Sequence, residues 1–270
     1  MTECHVVQNI KFQMKTKPTK GLIYLRVPRE TIGIISFGEG IKFNASTKFH
    51  KEKFYPQYSE VVAVADDIST ISVGDWVFHD HLAIGEVREV GPDIYYQPAE
   101  LIFGTKEKMF GDYVMVEPYL EHKARIAGSI SDPKIVPITE EAKDKVIVVL
   151  GEEAGKIFYC SHLMFYEIIG ADRKLFIAKK KELWCDENLN PIGDRTIVEK
   201  VKQIITAGKF EVEDKSNFVR AMVVKSNKYS SNTVIHFLKN KAGVITNSGK
   251  EYYVIDDRFI FGYDENYGQQ

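Results

Sequence analysis

The chain has 270 residues, of which 44% are hydrophobic and 27% are charged, with a net charge of −2. This composition is typical of a folded globular protein and excludes a largely disordered chain. The near balance of charge gives no general attraction to nucleic acid or to an anionic membrane, so neither is expected as a partner.

The cysteines and the chain start indicate the compartment. Cys4, Cys160 and Cys185 show no CxxC spacing, which argues against a disulfide framework or a structural zinc site, and we expect reduced thiols. No apolar run approaches the ~20 residues needed to span a bilayer. The first residues do not resemble a signal peptide. These features predict a soluble, cytoplasmic protein.

Short runs of β-branched and aromatic residues recur along the chain, separated by Gly, Asp, Asn and Pro. No stretch keeps the i, i+3, i+4, i+7 pattern of an amphipathic helix, so helices should be few and short. The sequence therefore predicts an all-β protein made of small barrels or sandwiches. In chain order, the clearest runs are 22–27, 60–64, 76–78, 113–116, 146–149, 195–198, 220–226 and 252–261.

The runs repeat in a similar order three times, in units of roughly 80–90 residues, which is long enough for a small barrel. The predicted opening strands are 22–27, 113–116 and 195–198. Each is expected to be followed by a turn and a strand, at 73–78, 143–148 and 232–237. Each unit is then expected to close with two strands around a charged turn, at 101–107, 166–178 and 252–261.

Two of the units carry motifs that resemble the GroES-like co-chaperonins, the small β-barrel subunits that cap a chaperonin cage. The first unit reads EVVAV at 60–64 and VGDWVF at 73–78, similar to the "GEVVAVG" and "VGDxVxF" strands of that family. The third unit is similar to the family's opening strand at 190–200 and to its final hairpin at 250–261. The resemblance implies tandem small GroES-like β-barrels over most of residues 19–265.

The resemblance also implies a division of the chain. It leaves open whether the second unit is a true barrel or an insertion, and whether the origin is a phage, which would place the protein in the host cytoplasm. The expected segments are an N-terminal extension (1–18), a first barrel (19–111) with a long mobile-type loop (28–57), a degenerate second barrel lacking that loop (112–185), a third barrel (186–265) and a tail (266–270).

In this family, function depends on a mobile loop, which docks on the chaperonin through a short apolar tripeptide after a glycine. The resemblance therefore implies a partner-binding segment within loop 28–57. An alternative is that the two isoleucines of this segment form one more core strand. The segment consists of Gly33, Ile34, Ile35, Ser36 and Phe37. A second, shorter candidate in the third unit contains Ile204 and Ile205, without a preceding glycine.

Other constellations predict neither a metal nor another cofactor. His79 and His81, with Cys160 and His162, are the only metal-like set, but the histidine pair follows a strand where loop residues belong. The segment GEEAGK at 151–156 lacks the full phosphate-loop pattern and is interpreted as a turn. The Lys- and aromatic-rich segment 42–55 is interpreted as part of the mobile loop, with nucleic-acid binding as the alternative.

The sequence thus predicts a co-chaperonin that is not an enzyme. It would bind an ATP-driven, GroEL-like chaperonin, form a homo-oligomeric ring and assist protein folding. The alternative is a structural or assembly protein, such as a phage virion component, built from the same barrels. An enzyme comes third because no convergent catalytic set is found.

Overall fold

A computed structural model of the protein confirms the all-β prediction. The described residues form three six-stranded antiparallel sheets and two separate two-stranded hairpins. They contain no helix longer than a three-residue 3-10 turn, and none that is long and apolar enough to cross a membrane. The structure describes residues 17–27, 34–37, 41–44, 56–81, 88–129, 132–161, 165–168, 173–201, 204–207, 210–213 and 217–264.

The chain divides into two compact units, Met1–Phe110 and Gly111–Gln270. The first unit contains the first sheet, with strand order β6-β7-β1-β4-β5-β8, and the hairpin β2–β3. Its strands are β1 (Leu22–Arg26), β2 (Ile34–Phe37), β3 (Ile41–Asn44), β4 (Tyr58–Val64), β5 (Trp76–His79), β6 (Glu89–Gly91), β7 (Ile94–Pro98) and β8 (Ile102–Gly104).

The second unit contains the other two sheets. The second sheet has the order β12-β13-β9-β10-β11-β14, and the third has the order β20-β21-β15-β18-β19-β22. The second comprises β9 (Tyr113–Ser129), β10 (Asp132–Leu150), β11 (Ile157–Cys160), β12 (Tyr166–Ile168), β13 (Leu175–Lys179) and β14 (Leu183–Asp186). The third comprises β15 (Arg195–Lys200), β18 (Phe218–Ser226), β19 (Val234–Leu238), β20 (Ala242–Asn247), β21 (Lys250–Asp256) and β22 (Ile260–Asp264), and β16 (Ile204–Ala207) and β17 (Phe210–Glu213) form its hairpin.

The three sheets are copies of one arrangement. When the six strands of each sheet are numbered along the chain, all three have the spatial order 4-5-1-2-3-6. In every sheet a single 3-10 turn joins the fifth strand to the sixth, at Ala99–Leu101, Lys180–Glu182 and Asp257–Phe259. The tandem repeat predicted from the sequence is therefore present. In each order the two end strands do not pair with one another within the described residues, so closed barrels are not detected.

Two β-bulges recur at equivalent positions and fix the correspondence residue by residue. In the second strand, one residue opposite the first strand is left out of register in each sheet: Val62, Val149 and Val224. In the sixth strand, one aromatic residue opposite the third strand is left out: Phe103, Trp184 and Phe261. A bulge bends its strand and redirects side chains, so its recurrence indicates that all three sheets bend alike.

Each sheet has its own apolar core on its inner face. Leu25, Val116 and Val198 occupy the same place in their first strands, and each is fully buried. Burying one such side chain stabilises the fold by roughly 1.5–3 kcal/mol. The inner clusters include Ile23, Val61, Val77 and Ile102 in the first sheet, Val114, Val148, Phe158 and Leu183 in the second, and Val223, Ile235, Phe237 and Ile255 in the third.

The correspondence corrects two equivalences expected from the sequence. Segment 143–148 lies in β10, a second strand, whereas 73–78 and 232–237 lead into third strands. The third strand of the second sheet is β11, which follows the turn at 151–156 and not the segment 143–148. The closing segments also differ, because they contain the sixth strand in the first sheet, the fourth and fifth in the second, and the fifth and sixth in the third.

Candidate partner-binding surfaces

Every sheet carries a hairpin between its first and second strands, which we call its arm. The first arm is β2–β3 and the third arm is β16–β17. In the second sheet the first and second strands themselves continue outward, and the middle arm runs from Leu120 to Glu141. The equivalent connection is therefore extended in all three sheets. The sequence predicts a second unit that lacks the long loop, and in the structure this paired arm occupies that connection.

The predicted docking residues lie on the first and third arms. Ile34 and Ile35 belong to β2 and pair with Asn44 and Phe43 of β3, while Ser36 and Phe37 complete the strand. In the third arm, Ile204 and Ile205 pair with Glu213 and Val212. Gly33 lies outside the described residues. The alternative places the two isoleucines in one more core strand. The strand that they form belongs to a separate hairpin and not to the six-stranded sheet.

The middle arm is a continuous two-stranded ladder. Ten residue pairs join Leu120–Glu141 to Ser129–Asp132, which corresponds to roughly 30 Å at about 3.4 Å per residue. At its base, four residues of β10 oppose a single residue of β9. This shift in register separates the arm from the six-stranded sheet. Leu120, Ile135 and Val136 are exposed along the arm, and Ile135 is 76% exposed.

Charged side chains support the base of this arm. The ammonium groups of Lys145 and Lys123 lie 2.7 and 3.1 Å from the Glu121 carboxylate, and Lys123 also lies 3.6 Å from Glu140. The hydrogen bonds from the two lysines lower the pKa of Glu121. Exposed pairs of this kind contribute little singly, about 0–1 kcal/mol, but their clustering here favours one arm conformation.

The metal-like set does not form a site in the described residues. His79 is fully buried, its Nε2 lies 2.9 Å from Ser59 Oγ, and burial lowers its pKa to about 3. Cys160 occupies the equivalent inner position of the second sheet and is a buried free thiol, and His162 lies outside the described residues. No group of three metal-binding side chains is found in the part of the chain that the structure describes.

The segment 151–156 is a tight turn between a second and a third strand, as predicted. Gly151 adopts a φ of 126°, and the Gly155 amide donates to the Val148 carbonyl at 2.7 Å. Lys156 is paired with Glu153 at 2.5 Å. The Lys- and aromatic-rich segment 42–55 is described only as far as Asn44, so its binding role remains a prediction.

The second and third sheets pack against each other through an interface that we call the junction. Tyr159 and Cys185 project from the outer face of β11 and β14 and pack on Ile197, Ile245 and Val254 of the third sheet. All five residues are nearly or fully buried. The outer face of the third and sixth strands of one sheet thus binds the outer face of the first, fourth and fifth strands of the next.

Trp184, the bulge residue of β14, lies against the backbone of the third sheet at this junction. A Cβ atom added to Gly243 would lie 2.5 Å from the Trp184 ring, so only glycine lets the indole approach so closely. Polar contacts complete the junction. The Tyr159 hydroxyl donates to the Thr246 carbonyl at 3.0 Å, and the side-chain amide of Asn247 donates to the Glu187 carbonyl at 3.0 Å.

Hydrogen bonds fix the conformation of the linker between these two sheets, residues 187–194. The Asp186 carboxylate accepts hydrogen bonds from the backbone amides of Asn188 and Asn190 at 2.9 and 2.8 Å. Leu189 between them has a φ of 62°, an uncommon conformation for leucine, and its side chain is buried in the junction cluster. Arg195 Nη1 donates to the Leu183 and Ile192 carbonyls at 3.1 and 2.8 Å. The linker therefore fixes one sheet to the next.

Comparison with protein-family models and with curated proteins finds no match for this chain. The functional argument therefore depends on the repeated sheet, its arm and its outer faces.

Proposed function

We propose that the protein is a co-chaperonin that binds an ATP-driven chaperonin through its arms and assists folding without catalysing a reaction. The observation that carries the proposal is the recurrence of an arm at one connection in all three sheets. This is the connection in which the family resemblance places the docking loop. The proposal includes a small GroES-like barrel around each of the three cores, and Gly33 and Ile34–Phe37 as the docking segment of the first arm.

Repetition of the arms suits this role. Burial of two isoleucine side chains in a partner groove contributes roughly 3–6 kcal/mol of binding free energy. The entropic costs of ordering the arm and of bringing two molecules together reduce this gain. A single arm would then bind modestly. Several arms on one particle, in a homo-oligomeric ring, would raise the apparent affinity because later contacts form at high effective concentration.

The test is co-sedimentation of the purified protein with a bacterial-type chaperonin, with and without ATP. We expect nucleotide-dependent binding that is lost in the Ile34→Asp/Ile35→Asp variant and reduced in Ile204→Asp/Ile205→Asp. Val73→Asp is the matched control, because Val73 is also an apolar residue replaced by a charge but lies 66% exposed in a turn away from the arm connection. Equal binding by all four proteins would contradict the docking role of the arms.

A second candidate is a structural or assembly protein, and the middle arm favours it. Its ten residue pairs and ion-paired base make a regular two-stranded projection in place of a loose loop. A permanent assembly component has no need for a segment that orders on binding. Absence of chaperonin binding under every nucleotide condition, together with stable incorporation into a larger particle, would favour this second function.

A further inference from the structure

A cavity of about 1260 Å³ lies beside the junction, between the second and third sheets. The 3-10 turn that joins the fifth strand to the sixth lines it in both sheets, with Lys181 and Glu182 in one and Asp257–Phe259 in the other. Part of the linker, Trp184, and Lys241 from the 3-10 turn between the third and fourth strands also line it. Tandem repetition of the sheet thus brings two equivalent turns to one site.

Hydrogen bonds hold the segments around this cavity in place. Arg195 Nη2 donates to the Lys181 carbonyl, in addition to the two bonds that its Nη1 makes. The side-chain amide of Asn227 donates to the Gly193 carbonyl of the linker at 3.2 Å. These bonds exist without a ligand, and a preformed site loses less entropy on binding than a loose one.

Most of the negative charge at the cavity is already matched by donors of the protein. Five cationic and four anionic side chains line it. Three of the carboxylates have partners, which are the Lys179 backbone amide for Glu182 at 2.7 Å, the Thr196 hydroxyl for Asp257 at 2.7 Å and the Arg258 guanidinium for Asp256 at 3.2 Å. The fourth, Asp194, is exposed. The three matched carboxylates therefore have less capacity left to bind a cationic ligand.

Three lysines of the cavity wall lack such a match. Lys181, Lys228 and Lys241 come from three separate connections between strands, are exposed, and form no ion pair with a carboxylate in the part of the chain that the structure describes. The ammonium groups of Lys228 and Lys241 lie over the Tyr229 and Phe259 rings, 5.1 and 5.4 Å from the ring centres. An aromatic ring attracts a cation without neutralising it, so these groups keep their charge for a ligand.

We propose that this cavity binds a small molecule that carries several phosphate groups. Lysine ammonium groups bind phosphate oxygens as point charges, and the three lysines together match a ligand with more than one phosphate. Trp184 and Phe259 line the same cavity and offer apolar contact to the organic part of such a ligand. Sites for drug-sized ligands have volumes of roughly 300–1,000 Å³, so this one is large enough for a nucleotide-sized molecule. The inference goes beyond the proposed function and does not require a chaperonin.

Calorimetric titration of the full chain with inorganic tripolyphosphate tests the proposal, with sulfate at the same ionic strength as the reference anion. We expect a dissociation constant below about 1 mM for tripolyphosphate, and binding of sulfate that is weaker by about tenfold or more. Lys241→Gln should weaken tripolyphosphate binding about fivefold or more, because it removes a charged donor. Lys239→Gln is the matched control, since it removes an exposed charge from the same 3-10 turn but does not line the cavity.

Asp194→Asn should have an effect of the opposite sign. It removes the exposed carboxylate of the cavity wall, and we expect the affinity for tripolyphosphate to rise about threefold because a like charge no longer repels the ligand. A variant with a damaged fold would lose affinity, so a gain separates a binding role from a structural one. Lys228→Gln replaces Lys241→Gln if circular dichroism shows that the latter is unfolded.

Fluorescence places the binding at the cavity. The chain has two tryptophans, so Trp76→Phe leaves Trp184 as the single reporter, and tripolyphosphate should change its emission with the dissociation constant found by calorimetry. A nucleoside triphosphate distinguishes two sources of the same phosphate chemistry. Tighter binding with stronger quenching means that an organic part contacts the aromatic wall, and equal affinity means that the phosphate chain alone is recognised. Both results support phosphate binding.

Three results would overturn the proposal. The first is no heat and no change in Trp184 emission with tripolyphosphate up to about 10 mM. The second is equal affinity for sulfate and tripolyphosphate, because this would mean general ionic attraction. The third is equal weakening by Lys239→Gln and Lys241→Gln, because this would place the binding outside the cavity.

Discussion

The second and third sheets have the same strand order and the same bulges, yet the outer faces of their third and sixth strands are used differently. In the second sheet this face is covered, and Tyr159, Trp184 and Cys185 pack on the following sheet. In the third sheet the corresponding residues are His236, Phe261 and Gly262, and the aromatic ring is exposed. The difference teaches that one fold can place the same face in a buried contact in one copy and leave its aromatic residue exposed in another.

The largest effect is expected when the equivalent bulge residues of the two sheets, Trp184 and Phe261, are replaced. Trp184→Ala should lower the free energy of unfolding by about 2–4 kcal/mol, because it removes a large ring packed against Gly243 and leaves a gap at the junction. Phe261→Ala should change it by no more than about 0.5 kcal/mol, because the ring is mostly in solvent.

Urea unfolding followed by circular dichroism measures both variants. If the two substitutions have equal effects, the junction does not depend on Trp184 and the contrast between the two faces is wrong.

The sequence contains part of this contrast. At the junction, the runs Phe158-Tyr159-Cys160 and Leu183-Trp184-Cys185 are continuously apolar, a pattern typical of strands buried on both faces. Their counterparts in the third sheet are broken by His236 and Gly262, which is typical of a strand with one solvent face. Strand content and the opening strands could therefore be predicted from local pattern.

Which strands of the three sheets are equivalent could not be predicted in this way. A run of valines indicates a strand but does not indicate which strand it pairs with. A charged turn precedes the valines of segment 143–148, as in 73–78, and this local pattern predicts a third strand there. The better signal was the adjacent valine pair of each second strand, at 61–62, 148–149 and 223–224, whose second member is the bulge residue. The arms differ in length between sheets, and this hid the alignment.

A smaller effect, on the pH dependence of stability, is expected from His79. It occupies an inner position that carries a different residue in each sheet. His79, Cys160 and Phe237 are equivalent, and only the histidine can gain a proton in the acidic range. Desolvation lowers the pKa of His79 to about 3, from an ordinary value of 6.5, with a smaller lowering contribution from His81. Between these values the unfolded chain binds a proton at His79 and the folded chain does not.

Stability of the first sheet should therefore fall as the pH falls from about 6.5, by up to about 1.4 kcal/mol per pH unit. Denaturant unfolding at several pH values, followed by Trp76 fluorescence in a Trp184→Phe background, reports on this sheet. The double variant Ser59→Ala/His79→Phe reproduces the Ala221 and Phe237 pair of the third sheet and should show a flatter pH dependence. Identical slopes in the two proteins would show that His79 is not the titrating group.

The smallest effect concerns the polar contact that crosses the junction. Tyr159→Phe removes the hydroxyl that donates to the Thr246 carbonyl at 3.0 Å while keeping the ring, and should cost about 1 kcal/mol of unfolding free energy. Tyr252→Phe is the matched control, because it removes a hydroxyl from the same cluster and leaves the Tyr159 bond in place. A larger loss for Tyr159→Phe would mean that the junction depends on polar matching as well as on apolar burial. Equal losses would mean that apolar burial alone sets its strength.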